Sequence, residues 1–302
     1  MDGNAAADPS DETAPRPGEG TPPMRMTCQE VWGGIRPVYS PIELPGVRGV
    51  LYSQPCRGGR GGDVHYLSIC GSGITSRMCL ADVAGHGEEV ATVSEALHAQ
   101  LRNSIDLPDQ RRILRRLNLR LSRMGVHCMT TMVALTHFPP TRLVSVSYAG
   151  HEPGWLYNAR QDAWSRLQPG ERPGVHYDLP LGVEPRVRFT RLKCRVRPGD
   201  RVLLVTDGVL ELPDYHGQPF GAAGVLAVLE RNRREPCVSV AAALLAALTA
   251  HAGKNVFVHD DVTFLLVEFV KEIRGTGLLH ALRNRLFPSR RPASKGDSRE
   301  RL

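Results

Sequence analysis

The chain has 302 residues, 41% apolar and 23% charged, enough to bury the core of one large domain or two small ones. No apolar run approaches the roughly 18 residues that would span a bilayer. The acidic start Met1-Asp2-Gly3-Asn4 does not read as a secretory signal, and seven cysteines with no CxxC pair point to reduced thiols and a cytoplasmic setting. The net charge of +7 is uneven, −4 over residues 1–24 and +6 over residues 271–302. No stretch interleaves aromatic and basic residues as base-stacking proteins do, so nucleic acid is not expected as a partner.

In chain order, residues 1–24 hold five prolines among Gly, Ala, Asp and Glu and read as a disordered leader. Thr27 to Ile35 reads as a short helix. The strand candidates are Val50–Ser53, Val64–Cys70, Arg77–Ala81, Thr131–Thr136, Leu143–Tyr148, Phe189–Cys194, Val202–Thr206 and Val262–Phe269. Helical periodicity appears at Val90, Val93, Leu97 and Leu101, and at Ile113, Leu114, Leu117 and Leu121, with Asp109 placed to cap the second helix. Further helices are predicted around Val225–Leu229 and Val240–Leu248. Strands cluster and helices come in pairs instead of alternating strictly. That predicts an α+β domain over residues 25–270, built of mostly antiparallel sheets with helices packed outside. In the tail, residues 271–302, Leu278, Leu279, Leu282, Leu286 and Phe287 share one helical face beside Arg283, Arg285, Arg290 and Arg291. Such a basic amphipathic segment can lie on an anionic membrane surface, dock on a partner, or pack back on the domain.

Four aspartates carry the chemistry. Asp63 follows Gly61-Gly62 and opens a strand. Asp82 ends the run Met78-Cys79-Leu80-Ala81, with Gly85 and Gly87 behind it and a helix beginning near Glu88. Asp207 follows Val202–Thr206, with Gly208 permitting a turn, and Asp260 precedes the last strand. Carboxylates at strand ends, together with the Val83 carbonyl exposed by the turn after Asp82, are the hard oxygen donors that Mg²⁺ or Mn²⁺ prefer. Of the neighbouring pair Asp260 and Asp261, one can reach the site while the other hydrogen-bonds. His86 and His151 are expected to hydrogen-bond and not to ligate. The arginines at 111, 112, 115, 116, 120 and 123 oppose the apolar stripe of the second helix, as a solvated face or as a docking surface for an acidic partner.

Seven motifs occur in order: Gly61-Gly62-Asp63, Asp82-Val83-Ala84-Gly85-His86-Gly87, Ala149-Gly150-His151-Glu152-Pro153, Pro180-Leu181-Gly182-Val183, Pro198-Gly199-Asp200-Arg201, Thr206-Asp207-Gly208-Val209 and Asp260-Asp261-Val262-Thr263. This order resembles the SpoIIE-type branch of the bacterial metal-dependent PPM (type-2C) serine/threonine protein phosphatases, over roughly residues 38–270. The resemblance implies a four-layer αββα sandwich with two divalent cations, Mn²⁺ or Mg²⁺, between its sheets. It implies that Asp82 bridges them, that Val83 ligates through its backbone carbonyl, and that Asp63, Asp207 and Asp260 supply the remaining carboxylates. Hydrolysis of a phosphoserine or phosphothreonine monoester by metal-activated water would follow, with no Ser or Cys nucleophile. By the same resemblance the substrate is a phosphorylated anti-anti-sigma (STAS-domain) protein of a partner-switching pathway. The alternative is a catalytically weak regulator that keeps the fold and sequesters a partner. Where the family usually continues with an aromatic pair and a second acid, this chain has Val64-His65-Tyr66. The preceding loop carries Arg57 and Arg60, either of which could hold the substrate phosphate.

Overall fold

The computed structural model describes residues 23–271, apart from 27–30, 57–60, 71–72, 85–87, 105, 108, 125–127, 169–177 and 254–256. All but the edges of the expected leader and tail lie outside the described residues, as do Arg57, Arg60 and His86.

One sheet has seven strands, β1 (Met24–Arg25), β3 (Val38–Leu44), β4 (Val47–Gln54), β9 (Gly154–Asn158), β10 (Ala163–Leu167), β12 (Arg201–Val205) and β13 (Val262–Phe269), in the order β1-β3-β4-β13-β12-β9-β10. The other has six, β2 (Val31–Gly34), β5 (Asp63–Ile69), β6 (Ser76–Val83), β7 (Thr130–Phe138), β8 (Leu143–Ala149) and β11 (Leu192–Arg195), in the order β11-β8-β7-β6-β5-β2. Every pairing is antiparallel except that of β1 with β3. The helices are α1 (Glu88–Asn103), α2 (Gln110–Leu121), the single turn α3 (Asp207–Leu210), α4 (Gly221–Arg231) and α5 (Cys237–Ala252).

Three apolar clusters fix the layering. Val93, Leu97, Ile113 and Leu117 of α1 and α2 pack on Val64, Ala81 and Ala134 of the six-stranded sheet. Leu67, Leu80 and Val133 of that sheet meet Leu51, Leu204 and Leu265 of the other. On the far side, Leu203, Phe264 and Leu266 meet Val225, Leu229, Leu244 and Leu248 of α4 and α5. The result is the αββα sandwich that the resemblance implies. Successive strand residues face opposite layers. Because helices or a second sheet cover both faces, β13 is buried at all of its positions and is mostly apolar, broken only by Thr263 and Glu268.

Asp109 caps α2 as expected: its carboxylate accepts from the Arg111 N–H at 3.1 Å, and the Arg111 guanidinium holds its pKa down to about 2. Two expectations need correction. Within Thr27–Ile35, Val31–Gly34 is not helical but an edge strand paired with β5. Gly33 makes that ladder possible, since a Cβ there would stand 1.9 Å from the His65 carbonyl oxygen. Within Phe189–Cys194 the strand begins only at Leu192, and Phe189 instead plugs the cluster under α1 and α2. No helix among the described residues is long and apolar enough to cross a membrane.

Candidate active site

Asp63 stands directly opposite Asp82 on the antiparallel pair β5–β6. Strand alternation decides where the two point. Leu67, Met78 and Leu80 belong to the core between the sheets, whereas Val64, Tyr66, Ala81 and Val83 pack toward α1 and α2. Asp63 and Asp82 share the parity of the first set and therefore lie over the cleft between the sheets.

The seven-stranded sheet answers from the other side. Val202 and Leu204 face the central core, so Thr206 does too, and its hydroxyl donates to Asp63 Oδ2 at 2.7 Å. Leu265 and Val267 face the core on β13, and Asp261 follows their parity. Its buried carboxylate accepts the Asp63 N–H at 3.0 Å and the Cys56 N–H at 2.8 Å. Asp261 thus ties the chain ends of β4, β5 and β13 together across the cleft.

Asp207 begins α3 and is half-buried; its carboxylate accepts from the Gly208 N–H at 2.9 Å. Gly208 is needed for a different reason from the one expected. Its φ is not among the positive values, but a Cβ would stand 1.9 Å from the Asp261 carbonyl oxygen, so only glycine lets α3 press against the lead-in to β13. Asp260 is exposed, and its carboxylate accepts from the Asp261 N–H at 2.8 Å.

The electrostatics follow from burial and crowding. Burial, then the neighbouring Asp82, pushes Asp63 well above the usual carboxylate range, against the pull of its Thr263 and Thr206 hydrogen bonds. Asp82 is raised to about 7, first by burial and then by Asp207, Asp260, Asp261 and Glu211. Asp207 and Asp260 are raised as well, first by partial enclosure of the carboxyl group, even though Asp260 as a whole residue is exposed, with Glu211 adding to the first and Asp207 to the second. None of these acids forms a salt bridge among the described residues.

Gly62 packs against the turn that carries Asp82 and Val83. A Cβ on Gly62 would lie 3.0 Å from the Val83 carbonyl oxygen and 3.4 Å from Asp82 Oδ1, so a side chain there would crowd both oxygens. Thr130, opposite Val83 on β7, sends its own N–H to the Leu181 carbonyl. Among the described residues no three His, Cys, Asp or Glu side chains are gathered so as to hold a metal ion by themselves. The carboxylates ring the cleft without converging, as unscreened like charges favour. An Mg²⁺-type ion needs only one or two carboxylates and keeps several waters, so this all-oxygen donor set fits that group.

His151 is buried and neutral, its pKa held down to about 4 by burial, with Nδ1 2.9 Å from the hydroxyl of Thr131, the ladder partner of Asp82. Burial pushes the Cys79 thiol up to about 12, which removes it as a nucleophile. Three residues without an assigned role in the sequence reading belong here. Thr206 links the sheets. Glu211, one helical turn after Asp207, and Glu152 line a cavity of about 240 Å³ together with Asp207, Thr131 and His151. The four-residue spacing from Asp207 to Glu211 was the available signal, and it needed α3 to be recognised as a helix.

A family model described as Stage II sporulation protein E (SpoIIE) matches residues 73–270. Comparison with curated proteins gave no match. Among solved structures, the chain is similar to the RsbU and RsbW domains of Rv1364c from Mycobacterium tuberculosis, at TM-score 0.62 and 23% identity, covering 79% of this chain and 64% of that one. It therefore spans under two thirds of that relative. It is also similar to the SiaA PP2C domain of Pseudomonas aeruginosa, at TM-score 0.61 and 19% identity over 72% of this chain and 85% of that one. RsbX in complex with magnesium aligns at TM-score 0.57 and 16% identity, over 77% of this chain and all of that one (100%). The structural likenesses establish the shared fold, and the family match spans well over half the sequence: the chain belongs to the SpoIIE family, with the fold of the PP2C domains it resembles.

Proposed function

We propose that the chain hydrolyses phosphoserine or phosphothreonine monoesters at the cleft rimmed by Asp63, Asp82, Asp207 and Asp260, using two divalent cations, Mn²⁺ or Mg²⁺. The observation that carries this is the placement of Asp63 opposite Asp82 on β5 and β6, with Asp207 and Asp260 at the ends of the facing sheet, raised first by burial and then by neighbouring acids, and with no salt bridge to any of them among the described residues. Asp82, together with the Val83 carbonyl, Asp207 and Asp260, would hold the ions. Asp63, buried and donated to by Thr206, would fix the position of its ladder partner Asp82 while offering its other oxygen to the cleft. When bound, the cations would activate water and neutralise the phosphoryl oxygens. The protein's own contribution is placement: Thr206 and Asp261 hold the ends of the two sheets at a set separation, so the acids need not reorganise as the phosphoester enters.

The substrate we propose is a phosphorylated STAS-domain anti-anti-sigma protein, in a cytoplasmic partner-switching pathway. The sequence resemblance supports this, as does a relative whose chain joins RsbU and RsbW domains. Magnesium in the RsbX relative supports the metal class. The test is hydrolysis of a phosphoserine STAS protein and of p-nitrophenyl phosphate in Mn²⁺, which Asp82→Ala and Asp207→Ala should abolish. Turnover unchanged in either variant would refute the assignment. One observation favours the second reading, a sequestering regulator: the acids are not gathered into a ready-made site. Calorimetric titration separates the two, since a regulator of that kind need not bind Mn²⁺.

A further inference from the structure

Helix α2 has two unlike faces. Ile113, Leu114, Leu117 and Leu121 are buried, while Arg112, Arg115, Arg116, Leu119, Arg120 and, just past the helix end, Arg123 are exposed. Leu119 is 45% exposed and has Arg115 and Arg123 four residues to either side, so the three stack along one line. The helix contains no acid. None of these five arginines forms a salt bridge among the described residues. Like charges at helical spacing repel and weaken a helix, and a merely solvated face gains from mixing signs. A one-sign face with an apolar side chain at its centre instead matches an anionic surface that also offers an apolar contact.

The inward side of the same helix is tied to the rim of the active cleft. Asn118 Oδ1 accepts from the Gly182 N–H at 2.9 Å, and its Nδ2 donates to the Glu184 carbonyl at 2.8 Å. Leu181 exchanges backbone hydrogen bonds with Thr130 at 3.0 and 2.8 Å, and Thr130 lies opposite Val83. The Met129 carbonyl accepts from the Ala84 N–H at 2.9 Å. Val183 and Met129, 48% and 39% exposed, each adjoin a residue of this path, Gly182 and Thr130, which joins α2 to the strand end carrying Val83 and Asp82.

We propose that this surface, the arginine face of α2 with Leu119, Val183 and Met129, docks an acidic face of the phosphoprotein substrate; the inference rests on the phosphatase reading above. Carboxylates of the substrate pair with the guanidinium groups, and an apolar side chain covers Leu119 and Val183. The phosphorylated segment then lies along Met129 into the cleft. Guanidinium groups suit this role because they take carboxylates in a two-point fork and shed water readily.

The experiment compares the full chain with its Arg115→Glu/Arg123→Glu variant. Both positions are exposed and outside the catalytic rim, and hydrolysis of p-nitrophenyl phosphate in Mn²⁺ serves as the control for folding. The probes are two phosphoserine peptides of about 20 residues, long enough extended to reach both sites, one flanked by glutamates and one by lysines. The expected result is a wild-type preference for the acidic peptide that weakens with salt, and a roughly tenfold loss of kcat/KM for it in the variant, through KM. The variant should favour the basic peptide, with p-nitrophenyl phosphate turnover unchanged. Unchanged kcat/KM for the acidic peptide overturns the dock. If wild type hydrolyses nothing, the phosphatase reading fails separately, and fluorescence anisotropy of the same peptides still decides the dock. Vesicles containing phosphatidylserine form the last arm: binding to them that the variant loses, with peptide binding intact, replaces the protein partner by a lipid surface.

Discussion

The middle and the rim of the same two sheets are built on opposite physics. In the middle, Leu67, Leu80, Leu204 and Leu265 remove hydrocarbon from water and gain by crowding. At the rim, a few residues along the same strands, Asp63, Asp82, Asp207 and Asp260 are crowded too, and each is pushed to a higher pKa. The strands' period of two aims Asp63 and Asp82 into the cleft, whereas Asp207 and Asp260 lie beyond the ends of β12 and β13 and reach its rim from the turns there. The middle therefore supplies the free energy that holds the rim in an arrangement unfavourable on its own, and a cation is what would relieve it.

The sharpest way to break this contrast is Asp82→Ala. Phosphoester hydrolysis should fall on the order of a thousandfold or more, while the metal-free variant should melt at a higher temperature than metal-free wild type at pH 8. A lower melting temperature would mean that the carboxylate is not repelled there. The mirror experiment is Leu80→Ala in the middle. It should cost about 2–5 kcal/mol of stability in denaturant titrations, with turnover per folded molecule retained at low temperature.

Metal supplies the next test. Mn²⁺ at about a hundredfold over its dissociation constant should stabilise the fold by about 2.7 kcal/mol. The pH sign follows from Asp82, whose carboxyl moves from 3.8 to about 7 on folding. The folded state binds the extra proton between those values, so this group makes metal-free stability fall as pH rises from about 4 to 7. A cation must displace that proton below pH 7, so affinity should weaken from pH 8 to 6, with proton release visible by calorimetry in buffers of different ionisation enthalpy. The smallest expected effect is that of Asp261→Asn. The amide keeps an oxygen acceptor for only one of the two backbone N–H groups of Asp63 and Cys56 and turns an NH2 donor toward the other, which costs about 1–3 kcal/mol. Mn²⁺ affinity should weaken only modestly, through displacement of Asp63.

Much of the framework was legible because its signal is local. Strands β5 to β8, β12 and β13 carry long apolar runs, and α1 and α2 carry clear periodicity. The strands left unread are short or interrupted: β2 ends in Gly33-Gly34, β3 contains Pro41, and β9 and β10 have five residues each. At β2 the helix reading failed because the pairing that favours a strand lies over thirty positions away, on β5.

The sequence by itself determined the order of the motifs, the acids at the strand ends and an α+β domain of mostly antiparallel sheets with helices outside, since each depends on residue type and on periodicity along the chain; the four-layer αββα arrangement followed from the family resemblance. Only the tertiary structure decided that Thr206 binds Asp63, that Asp261 clamps two backbone N–H groups, that Glu211 and Glu152 join the acidic cluster, and that Gly208 is required by the Asp261 carbonyl. The physical reason is separation along the chain. Asp63 and Thr206 stand 143 residues apart, and no spacing rule within one strand or helix can report a contact made when two sheets close face to face.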